Sequence, residues 1–252
     1  MPTVLVTSAR GGSGASLLAT NLGVALAAAA SCVLLDLHGA EAIDDLLLDL
    51  EPTHRWTDLI AMPGLPSEEH LARACCLHPS GLRLLAGGDK LESALPRAAS
   101  LLQALAVHAD WLLVDSSSES ALHGLHDRSD VVLLVVTTDP PSLRAARRWL
   151  LLLPTAARRK AALVVNQVTS GQPLLAQGAS HALDLPLWAW LPADATAIGR
   201  QVHFGSAAAL ARSSPYGRAI RQLAHRLLSA RMQSDRPSEA ARSRAITGER
   251  PG

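Results

Sequence analysis

Short runs with hardly a polar residue recur along this chain, and helix-like stretches separate them. VLVT at 4–7, CVLLD at 32–36, LRLL at 82–85, WLLVD at 111–115, VVLLVV at 131–136 and AALVVN at 161–166 are strand-length and rich in valine and leucine. LWAWL at 187–191 closes the series. A strand that is apolar on both faces has no side to turn to water. It belongs in a parallel sheet covered above and below by the intervening helices. The pattern predicts an α/β fold of three layers, with a mostly parallel central sheet and helices on both faces. An apolar content of 48% is ample for that core, and with only 3% aromatics it must be filled by alanine, valine and leucine.

Helices are expected over about 15–30, 67–74, 93–108 and 141–152, with short helical turns in 43–50 and in RWTDLI at 55–60. Ser213–Arg231 opens on a Ser-Pro start signal. It carries Ile220, Leu223, Leu227 and Leu228 at helical spacing, which gives one apolar face to lay on the sheet. One domain is therefore read from 1 to 231. The tail 232–252 is polar and proline-punctuated, a composition that does not fold alone.

The sharpest motif follows the first strand. VLVTSARGGSGASLLATN, 4–21, is strand, glycine turn and helix in succession. That geometry aims several backbone N–H groups at one point beside a positive helix end, so it binds anions. Gly11, Gly12 and Gly14 allow the tight curvature, and Ser16 offers a hydroxyl to a magnesium ion. Arg10, Ser13, Ala15 and Leu17 complete the candidate cofactor-binding stretch. The lysine that normally reaches the outer phosphates is missing: Ala15 stands there, and the chain's only lysines are Lys90 and Lys160. A tight glycine turn without any nucleotide is the alternative reading.

Asp36 and Asp115 end two of the strands, where an open parallel sheet has its ligand crevice. Each is read as a candidate catalytic and metal-binding acid together with Ser16, or else as the cap of a following helix.

These residues resemble the MinD/ParA superfamily of deviant Walker A, P-loop NTPase-type proteins that position cellular machines. The stretch ARGGSGAS is similar to the family loop KGGxGK[ST]. Arg10 matches the signature lysine, Ala15 the ordinary loop lysine and Ser16 the magnesium-binding residue. LLATNLGVALA continues as the family helix does, and VLLDLHGAE resembles the family's second strand, with His38 in place of a second aspartate. DWLLVDSS, 110–117, puts Asp115 at the Walker B acid. Asn166, and Pro192 and Asp194 in LPAD, match the elements that line the adenine pocket. The resemblance covers about 3–230.

The resemblance implies ATP and Mg²⁺ as cofactors, a homodimer, and partners among pilus, secretion or division proteins. The alanine-containing GGxGAS loop is similar to the CpaE/TadZ branch, which implies a role in pilus assembly, and to actinobacterial septum-site-determining proteins. With both lysines gone, a degenerate ATPase with slow turnover at most is expected. A nucleotide-free scaffold regulating the septum site, or an active DNA-partitioning ATPase, are the alternatives. For Arg10, phosphate contact and an internal ion pair to Asp36 or Asp115 both stay open.

Charge nearly cancels, at Lys+Arg 23 against Asp+Glu 22, and no nucleic-acid partner follows from it. Arg144, Arg147 and Arg148 form a local basic group. It reads as a solvated face before a DNA- or lipid-binding one. Cys32, Cys75 and Cys76 form neither a disulfide framework nor a metal-ligand spacing, which fits a cytoplasmic protein. No apolar run reaches membrane-spanning length, so any membrane association would be peripheral, through partners. Trp149, Trp188 and Trp190 are expected as packing or interface anchors.

Overall fold

A computed structural model describes residues 2–62, 64, 66–88, 101–105, 107–117, 124–169 and 172–234. Eight strands form one sheet: β1 (Thr3–Ser8), β2 (Cys32–Leu37), β3 (Cys76–Leu77), β4 (Arg83–Leu85), β5 (Trp111–Ser117), β6 (Val131–Val136), β7 (Ala161–Val168) and β8 (Leu187–Pro192). Their order is β3-β4-β2-β5-β1-β6-β7-β8, and every pairing is parallel except β3 with β4. The three-layer α/β architecture expected from the apolar runs is what the chain adopts.

Strand alternation divides the core in two. Leu5, Leu35, Val114, Leu134 and Val165 face one helical layer, and Val4, Leu34, Leu113, Leu133 and Val164 face the other. Helix α1 (Ala15–Ala27) lies in the second layer and buries nine of its thirteen residues. Its buried polar residues, Thr20 and Asn21, are accounted for by partners. Asn21 donates from Nδ2 to Gln201 Oε1 at 2.6 Å and accepts from the Ala209 N–H at 2.8 Å, while Gln201 Nε2 donates to Thr20 Oγ1 at 3.1 Å.

Among the described residues the other α-helices are α2 (Asp44–Leu47), α3 (Trp56–Ala61), α4 (Glu68–Ala74), α5 (Pro140–Leu152), α6 (Thr155–Arg158), α7 (Pro173–Leu183), α8 (Ala195–Phe204) and α9 (Pro215–Ser234), and residues 101–105 are also helical. The apolar face expected of α9 is buried through Tyr216, Ile220, Leu223 and Leu227. That is core packing. Trp149 is buried in the other layer, Arg226 stacks on Trp188 at 4.9 Å, and Trp190 is 43% exposed.

Several boundaries differ from the sequence expectation. The first helix stops at Ala27, and a turn closes 28–30. The short antiparallel β3, and helices α6, α7 and α8, depart from the sequence expectation. The start of α8 is encoded by Asp194, whose Oδ1 accepts the Ala197 N–H at 3.0 Å as an N-cap. Of the helix expected over 93–108, residues 93–100 and 106 lie outside the described residues. So does 235–252 of the expected tail, whereas Met232 to Ser234 still belong to α9. No helix among the described residues is long and apolar enough to cross a membrane.

Candidate functional site

The connections after β1 and β6, neighbours in the sheet, lead to opposite halves of it. That is the topological switch point at which open α/β sheets bind ligands. The glycine turn sits there. Gly12 and Gly14 have φ of +80° and +88°, the left-handed region that glycine adopts without penalty. The turn is shaped from inside by two hydroxyls, since Ser8 Oγ and Ser13 Oγ both donate to the Arg10 carbonyl, at 3.0 and 2.9 Å.

The loop also hangs on the far strand. Asn166, 2% exposed and two residues before the end of β7, donates from Nδ2 to the Ser13 carbonyl at 2.9 Å. A Cβ on Gly14 would stand 2.2 Å from that nitrogen. Asn166 therefore positions the loop.

Helix α1 begins with no side-chain cap and no acidic residue in its first turn. The N–H groups of Ala15, Ser16 and Leu17 have no hydrogen-bond acceptor among the described residues. A Cβ placed on Gly11 or Gly12 would meet nothing within 4 Å, so the loop's outer side is open. An uncapped helix end under an open glycine turn fits a phosphate group. Ser16 is half-buried at its rim, and Ala15 is buried and presents no charge.

A second group of residues gathers at the ends of β2 and β5. Asp36 and Asp115 are direct register partners, so both side chains project from the same face of the sheet as α1. Asp44, from α2, joins them. The three carboxylates are 0–1% exposed, and their oxygens lie within 4.8 Å of one another. Asp36 accepts N–H groups of His38 at 3.0 Å and Asp44 at 3.3 Å. Both oxygens of Asp44 and both of Asp115 are buried without a hydrogen-bond donor. Such orphaned buried oxygens fit a divalent cation, which oxygen ligands hold directly or through water.

The cationic side chain in contact with this cluster, among the described residues, is His38. Its Nε2 lies 3.2 Å from Asp115 Oδ2, near enough for charge pairing although not aligned as a hydrogen bond. Burial alone would lower the His38 pKa. Contact with Asp115 and the charges of Asp115 and Asp36 outweigh that and raise it to about 9. Burial, then the neighbouring Asp115, pushes Asp36 up to about 6, and burial with Asp36 and Asp115 raises Asp44 well above the ordinary carboxylate range.

Sequence reasoning found Asp36 and Asp115 and missed Asp44. The signal was the tandem Asp44-Asp45 opening an apolar turn, one acid facing inward. Gly87 is part of the same arrangement, because a Cβ there would lie 2.2 Å from Ala42 and 3.4 Å from the Asp36 carboxyl carbon.

Arg10 takes neither course expected of an internal ion pair. Its guanidinium is exposed and lies 3.3 Å from Asp139, across the crevice on the loop after β6, not beside Asp36 or Asp115. Asp139 also accepts from Thr137 Oγ1 and from the Ser142 N–H, capping α5. Asp194 is similarly engaged: besides capping α8 it accepts a hydrogen bond from Ser214 Oγ at 2.7 Å. Pro192 pairs with Val168 at the end of β8. Asn166 and Pro192 thus lie at one end of the carboxyl edge and the three acids at the other. Three strand spacings, roughly 14 Å, separate β5 from β7.

No family model of known proteins matches the chain, and no curated protein sequence matches it. Solved structures do. A ParA family ATPase from Chlorobium tepidum superposes with a TM-score of 0.78 at 19% identity, covering 89% of this chain and 98% of that one. The fold is that of the ParA and MinD ATPases. MinD from Aquifex aeolicus, in a MinC:MinD cell division complex, gives 0.76 at 22% identity over 91% and 96% of the two chains. The septum site-determining protein MinD of Pyrococcus horikoshii, complexed with Mg-ADP, gives 0.71 at 18% identity over 90% and 95%. The shared fold spans 89–91% of this chain and 95–98% of the other chain in these comparisons.

Proposed function

We propose that this chain is a positioning protein of the MinD/ParA kind, acting in septum-site or cell-division placement through nucleotide-tuned association, not through rapid turnover. One observation carries this reading. The phosphate cradle and the buried acids are retained together, while the loop has Ala15 for its lysine, and the charge inside the acid cluster is His38. The backbone N–H groups of residues 15–17 and the Ser16 hydroxyl would hold the phosphates of ATP. Asp36, Asp44 and Asp115 would hold Mg²⁺, directly or through water. Asn166, Pro192 and Asp194 would border the base, and Arg10 would close over the phosphates if it left Asp139. A bound Mg²⁺ would neutralise phosphate charge. Asp36 and Asp115 would orient water, but no lysine steadies a transferring phosphoryl group.

Removing one such electrostatic contact lowers a rate by about 10²–10³. Ala15→Lys is therefore expected to raise ATP hydrolysis by about 10²–10³-fold over the natural chain and to tighten ATP binding. Calorimetric titration with ATP and Mg²⁺, light scattering for a homodimer, and phosphate release measure these effects. Absence of binding at millimolar ATP would sink the nucleotide-tuned reading and leave a scaffold for division proteins. Turnover by the natural chain at ordinary ATPase rates would sink the slow-turnover reading. Septum-site placement is favoured over DNA partition by the nearly balanced overall charge; the fold itself is shared by MinD and ParA proteins alike. A second reading, pilus or secretion-machine assembly of the CpaE/TadZ type, is favoured by the alanine in GGSGAS and is tested by co-purification with pilus components. Either role places the chain in the cytoplasm, peripheral to the membrane's inner face.

A further inference from the structure

Residues 140–183 contain no aspartate or glutamate, yet they carry Arg144, Arg147, Arg148, Arg158, Arg159 and Lys160. Helix α5 turns Ser142, Ala146, Trp149 and Leu150 inward. Its outward side presents Arg144, Arg147 and Arg148, all exposed, followed by Leu151 and Leu152 at 73% and 67% exposure. Spacings of three and four place the leucines directly beside the arginines on one helical face. Arg159, exposed at the end of the next turn, extends the basic surface.

None of Arg144, Arg147, Arg148, Arg158 and Arg159 pairs with an acid among the described residues. The acids bordering the patch are few. Asp139 at the start of α5 is held by Arg10, Thr137 and Ser142, and Asp127 lies beside His126 near α6. Helix α7, packed against α5, contributes no acid.

We propose that this face docks on an anionic bilayer surface. Charge complementarity calls for an anionic partner, and the paired leucines decide which one. Nucleic-acid phosphates would satisfy the arginines but offer no apolar seat for two adjacent leucines. At a bilayer, leucines enter the headgroup–acyl boundary while the arginine stems lie along it with their charges among lipid phosphates. The surface is built from α5, apart from the acid cluster, and does not rest on whether the loop binds nucleotide.

The test is co-sedimentation of the full chain with vesicles of phosphatidylcholine alone or mixed with phosphatidylglycerol, beside fluorescence anisotropy with duplex DNA. Binding to the anionic vesicles that weakens with salt is expected. The combined change Arg144→Gln, Arg147→Gln, Arg148→Gln is expected to lower partitioning roughly 100-fold. The combined change Leu151→Ser, Leu152→Ser is expected to lower it about tenfold or more and to leave any DNA binding unchanged. All five side chains are exposed, and circular dichroism checks that each variant folds. If the arginine variant did not fold, the leucine pair would still decide. No pelleting with anionic vesicles, equal pelleting with both kinds, unchanged pelleting of the leucine variant, or DNA binding without vesicle binding would each overturn the proposal.

Discussion

His38→Ala is expected to destabilise the chain by about 3 kcal/mol near neutral pH, because it removes the cation from a nest of three buried carboxylates. The rise of the His38 pKa from 6.5 to about 9 is a statement about stability. A folded-state value above the unfolded one contributes stabilisation that is complete below about pH 6.5 and is lost as pH rises through about 9. The difference between natural chain and variant is therefore largest near pH 6.5 and shrinks toward simple packing loss by pH 10. The acids act in the same direction. Asp36, raised from 3.8 to about 6, is harder to ionise when folded, so stability also falls as pH climbs through that window. Chemical denaturation of both proteins at pH 7 and pH 10 measures the effect. An equal loss at both pH values would show that His38 acts by packing alone.

Gly14→Ala is expected to cost about 2–4 kcal/mol, combining the left-handed backbone with a lost buried hydrogen bond. The new Cβ would stand 2.2 Å from Asn166 Nδ2, so Asn166 must leave the Ser13 carbonyl or the loop must move. Either way the uncapped N–H groups of residues 15–17 lose their alignment, and binding of inorganic pyrophosphate or ATP should weaken together with stability. Asn166→Ala separates the two contributions, since it removes the hydrogen bond and keeps the glycine. Denaturation midpoints and calorimetric titration of both variants give the comparison. If Gly14→Ala matched the natural chain in stability, the Asn166 clamp would not be what holds this loop.

Much of the architecture could be read from local pattern. Apolar strands separated by helical stretches led to a parallel three-layer sheet, and the glycine run between strand and helix marked the left-handed turn that opens α1. Asp36 and Asp115 were visible because strand ends were visible. Asp44 was not, since its inward turn depends on α2 folding back over the end of β2, where Asp36 lies eight residues earlier. Likewise the resemblance put Asp194 beside the base pocket, and only the folded chain shows what its carboxylate does, capping α8 and accepting from Ser214. Capping is written in the residues after it, but Ser214 is twenty positions away.

The sequence by itself determined the fold class, the position of the glycine turn that opens α1, and the absence of lysine from that turn. These depend on residue type and near-neighbour spacing, which set strand, turn and helix. Only the tertiary structure decided where the charges meet. It put His38 against Asp115, sent Arg10 to Asp139, and used Asn166 as a clamp on Ser13. It also left Leu151 and Leu152 of α5 uncovered beside Arg144, Arg147 and Arg148. Those outcomes depend on which distant segments become neighbours in space. A hydrogen bond needs its partners within about 3 Å and an ion pair weakens with distance in space, so spacing along the chain does not encode either.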